Sequence, residues 1–167
     1  MAAGTEPVLC AVEADSTLAS PRFAPFRLFD GKTTDPDSRW ASARSAEPHW
    51  VALSFAEPVS VDRVAVYAHP EPDLLLRGAE FQILRGEAWQ TVATVKTNDK
   101  TPIEFTFPRY ETKAARLWIT DACRHDSTAR LFEIELFDRG KPIKLTVSRP
   151  DRVTRPRIDD QALLDSV

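Results

Sequence analysis

The chain has 167 residues, 43% of them hydrophobic and 28% charged, which is the composition of one globular domain with a core of its own. Its formal net charge of −3 provides no basic field, which argues against nucleic acid as a partner. The opening MAAGTEPVLC lacks the apolar run of a signal peptide, and no later stretch is apolar for long enough to span a bilayer.

Taken in chain order, residues 1–8 read as a loose lead-in, and PFRLF at 25–29 as a short helical turn. The run LFDGKTTDPDSRW (28–40) then crowds Asp30, Lys32, Thr33, Thr34, Asp35, Asp37 and Ser38 between a tight turn and an indole, more oxygen-bearing side chains than a plain turn needs. From there the dominant pattern has period two. WVALSF sets Val51, Leu53 and Phe55 against Trp50, Ala52 and Ser54, and DRVAVYA lines up Val64, Val66 and Ala68. AEFQILR lines up Phe81 and Ile83; PIEFTF lines up Ile103, Phe105 and Phe107. ARLWIT offers Leu117 and Ile119, and RLFEIELF sets Phe132, Ile134 and Leu136 against Glu133 and Glu135. Such alternation predicts half-buried strands.

The separators AEPVS, AHPEPD, RGEA, TNDKTP and PRYETK are turn chemistry, and 13 prolines against 5 glycines disfavour long helices. Many short strands without helices between them predict an all-β sandwich or barrel. KPIKLTV adds one more strand within 139–148, and residues 149–167 have the Arg/Pro/Asp composition of a linker or tail.

Cys10 and Cys123 lie far apart in the sequence and read either as two buried free thiols or as one staple. His49, His69 and His125 are not spaced as zinc ligands. There is no Gly-x-Ser-x-Gly and no His-Glu-x-x-His. Asp121, His125 and Ser127 share one short loop with no oxyanion signature, so the chain reads as non-catalytic. The loop YAHPEPDLLLRG carries His69, Asp73 and Arg77, and TDACRHDST carries Arg124 and His125. As donors and acceptors beside an apolar neighbour such as Leu75, these are the candidate ligand-binding residues. The leucines at 74–76 either fill the core end or present an apolar tip to a lipid surface, with core filling preferred. The four tryptophans are assigned to packing.

Five features in order carry a family likeness: LFDGKTTDPDSRW, EPHWVALSFAEPVSVDRVAVYAH, GAEFQILRGEAWQTVATV, AARLWIT and LFEIELF. Over roughly residues 9–138 the chain resembles the discoidin, or coagulation-factor type C, domain. The resemblance implies a galactose-binding-like jelly-roll β-sandwich. It also implies a carbohydrate-binding module that meets glycans through loops at one end and serves as accessory to a larger secreted or cell-surface bacterial protein. Protein or lipid adhesion through the same loops is the alternative, and an intracellular scaffold a third reading. The family's structural calcium maps onto Asp30, the Lys32 carbonyl, Ser38 and Glu133, in keeping with the oxygen ligands that Ca²⁺ takes. The Asp-to-Trp run is a few residues longer than the family's usual one, which brings in Asp35 or Asp37 as a substitute ligand. The run does not fit an EF-hand.

Overall fold

The computed structural model describes residues 6–19 and 21–148, so the linker expected at 149–167 and most of the 1–8 lead-in lie outside the described residues. Nine strands follow in order: β1 (Val8–Ala14), β2 (Trp40–Ala41), β3 (His49–Ala68), β4 (Gly78–Arg85), β5 (Ala88–Val95), β6 (Ile103–Asp121), β7 (Arg130–Asp138), β8 (Lys141–Pro142) and β9 (Leu145–Val147). The only helical element among the described residues is the 3-10 segment Pro25–Phe29, where the PFRLF turn was expected. It is short because Asp30 and the left-handed Gly31 (φ 80°) end it at once.

Two long strands build both layers of the sandwich. The first half of β3 pairs with β1 and with Ala114–Ile119 of β6, which in turn pairs with β4 and then β5. The second half of β3 pairs with Ile103–Thr112 of β6 and with β7, and β7 carries β2. Register shifts at Ser54/Val59 and Val61/Arg63 bend β3 between its two halves. They also explain a change of parity. Val51, Leu53, Phe55, Val59 and Val61 point inward at odd positions, and Val64, Val66 and Ala68 at even ones, all of them buried. An extra residue at a bulge moves the inward face by one position.

The core gathers the apolar set predicted from alternation, including Phe81, Ile83, Ile103, Phe105, Leu117, Ile119, Ile134 and Leu136. Leu75 and Leu76 belong to it, so the leucine run fills the core end. Cys10 and Cys123 are free and buried.

Two expectations change. KPIKLTV is not one strand: it breaks after Pro142, so that β8 pairs with β7 and β9 runs parallel to β1. The tryptophans also divide. Trp40 is fully buried and its indole N–H donates to the Ser16 carbonyl (3.1 Å). Trp50, Trp89 and Trp118 are only half-buried. Trp50 and Trp118 sit at outward positions of paired strands, and the Arg116 guanidinium lies 4.3 Å from the Trp89 ring and 4.5 Å from that of Trp118. A cation stacked between two indoles covers their apolar faces where no second layer does.

Candidate functional site

The loops that follow β3, β5 and β6 meet at one end of the sandwich. The Ala68 N–H donates to Thr101 Oγ1 (2.8 Å), the His69 N–H to the Arg130 carbonyl (3.3 Å), the Arg77 N–H to the Asp121 carbonyl (3.1 Å) and the His125 N–H to the Asp73 carbonyl (3.0 Å). Asn98, buried, ties two of these loops by donating from Nδ2 to the carbonyls of Leu76 and Lys100, both at 2.8 Å. Loop carbonyls satisfied in this way hold a shape that solvent alone would not.

This rim brings some of the sequence-predicted ligand residues together and separates others. Arg77 and Arg124 line one hollow of ≈ 90 Å³ with Pro72, Leu75, Asn98 and Asp99. Arg77 Nε donates to Asp121 Oδ2 (3.2 Å), whereas Arg124 is exposed and has no ion pair among the described residues. Asp73 and His125 are exposed beside it, linked through their backbones, with His125 Nε2 4.0 Å from Asp126 Oδ2. His69 stands apart. Its ring packs on Phe132 (centroids 5.5 Å apart) and its Nδ1 accepts the Glu71 N–H (3.2 Å). Burial pushes the His69 pKa down, and the nearby Arg39 and Arg130 cations push it further. Asn98 and Asp99 escaped the sequence reading because TNDKTP carries only the ordinary signature of a turn.

A second cluster lies where the Asp-Gly turn meets β7. The Gly31 N–H donates to Glu133 Oε2 (2.9 Å), the Lys32 N–H to Asp30 Oδ1 (2.9 Å), and the Ser38 hydroxyl to Asp30 Oδ2. Ser38 and Glu133 are both buried, and Glu133 Oε1 has no partner. Burial above all pushes the Glu133 carboxyl up to about 8; the Gly31 N–H opposes that rise, and the neighbouring Asp30 carboxylate adds to it. Glu133 and Gly31 border a hollow of ≈ 270 Å³ formed with Phe29 and the Pro142–Leu145 stretch. Asp35 makes the same turn contact as Asp30, its Oδ1 accepting the Asp37 N–H (2.9 Å), but no hydrogen bond joins its carboxylate to Ser38 or Glu133. The side chains that could hold a cation are therefore Asp30, Ser38 and Glu133. No group of three or more His, Cys, Asp or Glu side chains converges anywhere among the described residues.

The residues of triad type are dispersed among other partners. The Asp121 carboxylate binds Arg77, the Ser127 carbonyl accepts from His49, and His125 lies in solvent.

The sequence model of the F5/F8 type C family, described as NedA-like, galactose-binding domain, matches residues 27–117, more than half of the chain. The chain belongs to this family. No curated protein matches the sequence. Among solved structures, this galactose-binding-like domain resembles chitosan-binding module 1 derived from the chitosanase/glucanase of Paenibacillus sp. IK-5, at 27% identity and TM-score 0.62, over 76% of this chain and 93% of that one. It also resembles the GH31 CBM32-2 module bound to GalNAc (15% identity, TM-score 0.71, 80% and 100% covered). A third likeness is the family 32 module of C. perfringens NanJ in complex with galactose (12% identity, TM-score 0.66, 77% and 93% covered). The fold of the domain is that of carbohydrate-binding modules. Among the described residues, no helix is long and apolar enough to cross a membrane.

Proposed function

We propose that the domain is a non-catalytic carbohydrate-binding module that meets a glycan at the loop end, braced by calcium and accessory to a larger secreted protein. One observation carries the reading: in the hollow at the loop end, the guanidinium groups of Arg77 and Arg124 stand beside the apolar Leu75 and Pro72. That pairing suits a pyranose, whose hydroxyls accept from the guanidinium N–H groups while an apolar ring face rests on the exposed Pro72, with the buried Leu75 as the floor of the hollow. Asp73, Asp99 and His125 add acceptors and a donor at the rim. So small and open a site gains little net free energy per contact, so affinity is modest and rises through attachment to a larger protein. The Paenibacillus relative, a module derived from an enzyme, agrees with an accessory role. The lipid alternative loses its support because Leu75 and Leu76 are buried.

The calcium reading rests on the orphaned Glu133 Oε1. A buried carboxylate oxygen without a donor calls for a partner, and the neighbouring donor set of carboxylates and a hydroxyl is the hard-oxygen set that Ca²⁺ prefers. Asp30, Ser38 and Glu133 would hold the ion, which supplies a positive centre that ties the Asp-Gly turn to β7. The function is tested by screening the isolated domain on a glycan array and then titrating the best sugar by calorimetry. Arg124→Ala is expected to weaken binding at least tenfold with an unchanged melting temperature. An array with no sugar bound, or an Arg124→Ala affinity equal to that of the parent, retires the reading.

A further inference from the structure

Beyond the hollow, the same end of the molecule carries a corner where positive charge is gathered and incompletely answered. The guanidinium carbons of Arg22 and Arg39 lie 4.9 and 4.8 Å from the centre of a single ring, that of the buried Phe23. Arg130 and His69 complete the group, since both arginines at 39 and 130 act on the His69 ring. Three acids face it. Asp126 is already taken by Arg130 through two hydrogen bonds of 3.0 and 2.9 Å. Asp37 reaches only Arg22, at 4.0 Å and in solvent. Glu71 is exposed and acts weakly on His69.

Arg39 bears the imbalance. Its Nε is buried with no acceptor. A guanidinium packed on an aromatic ring beside two like charges, with no ion pair among the described residues, is arranged to receive an anion at its outer N–H groups rather than to hold the fold. Its planar fork offers parallel N–H groups, which match the oxygens of a carboxylate or a sulfate.

We propose that this corner binds the acidic group of a sugar, carboxylate or sulfate, with Arg39 as its principal donor and Arg22 and His69 beside it. The proposal rests on the glycan reading and names the class of glycan: acidic rather than neutral. The acidic group sits at Arg39, while the rest of the chain extends over the rim toward Arg124.

The test compares probes that differ only in charge: an α-linked galacturonate trisaccharide against its full methyl ester, and galactose 6-sulfate against galactose. At low ionic strength the acidic member of at least one pair is expected to bind about tenfold more tightly, and 0.5 M NaCl should erase most of that preference. Which pair shows it identifies the carboxylate or the sulfate as the source. Arg39→Gln should bring the acid down to the level of its neutral partner, and Arg22→Gln, at an exposed position, should remove part of the preference without depending on Arg39→Gln folding. Equal binding of acid and neutral member in both pairs overturns the proposal and leaves the glycan reading standing. A preference that survives both substitutions also overturns it. Binding of no probe and no array sugar removes the glycan reading, and this proposal with it.

Discussion

Two buried polar clusters flank the Trp40 loop, and they differ in one respect. At His49 every atom is answered. Nδ1 hydrogen-bonds with Asp15 Oδ2 (2.8 Å), Nε2 faces the carbonyls of Ser127 (2.7 Å) and Ser45 (3.1 Å), and Asp15 Oδ1 accepts the Trp50 N–H (2.8 Å). At Glu133 one oxygen is answered by Gly31 and the other by nothing. Burying a polar group is costly unless it is paired. The first cluster is complete from the chain alone and is therefore architecture, joining β1, β3 and the 122–129 loop. The second is one partner short, and the proposed calcium brace rests on that deficit.

The sharpest way to break this contrast is to remove the completed cluster. His49→Leu leaves Asp15 without its main partner and the two loop carbonyls without a donor. Each buried polar group stranded without its partner costs about 1–3 kcal/mol. Asp15 keeps 18% of its side chain in water, so the expected loss is about 2–4 kcal/mol. Urea unfolding measures it. A loss below about 1 kcal/mol would mean that the cluster is decoration and that completeness does not mark architecture.

The same contrast predicts that the second cluster gains from what it lacks. Calcium at one hundred times its dissociation constant should add about 2.7 kcal/mol. For a domain of this size that corresponds to a rise of roughly 5–10 °C in Tm, which EDTA should reverse. Glu133→Gln should abolish the response, as should Asp30→Ala, whereas Asp35→Ala should preserve it because no hydrogen bond joins that carboxylate to Ser38 or Glu133. An unchanged melt with and without calcium, or a response that survives Glu133→Gln, would sink the brace.

How far each cluster could be read from sequence follows from this geometry. Strand identity was legible because alternation at Val51/Leu53/Phe55 and at Phe81/Ile83 is a local consequence of burying one face. The bulge near Asp62 was not, since a parity change is visible only once Arg63 is seen paired with both Thr106 and Phe137. Glu133 read as the outward half of an alternating strand. It is buried because the Asp-Gly turn lies over β7, and only the family resemblance flagged it. Arg77 and Arg124 were legible as loop residues, but not as partners in one hollow; Asn98 makes that hollow through carbonyls that carry no side-chain signature. Arg39 was silent, because its neighbours Arg22, His69 and Arg130 come from loops and strands distant in sequence. The outward stacking of Trp89 and Trp118 on Arg116 was missed for a related reason: an indole in an alternating strand looks the same whichever face it takes.

A third polar group tests whether completeness or burial sets the energy. Arg130 holds Asp126 through two guanidinium hydrogen bonds and also donates to the Thr128 carbonyl (3.0 Å), so it is as well answered as His49, yet Asp126 keeps 30% of its side chain in water. The Arg130 guanidinium holds the Asp126 carboxyl well below its ordinary value of 3.8, against the opposing effect of burial. The folded state therefore binds that proton less readily than the unfolded chain. The resulting stabilisation is fully present above about pH 4 and is lost as pH falls through the depressed folded value. Solvent screening limits it to about 1 kcal/mol. Comparing urea unfolding of the parent and Asp126→Asn from pH 6 down to pH 2.5 should show two curves that converge as the pH falls. If they stay parallel, Asp126 contributes through shape rather than charge. If the gap at pH 6 matches the His49→Leu loss, completeness alone sets the energy, and the exposure of Asp126 has no part in it.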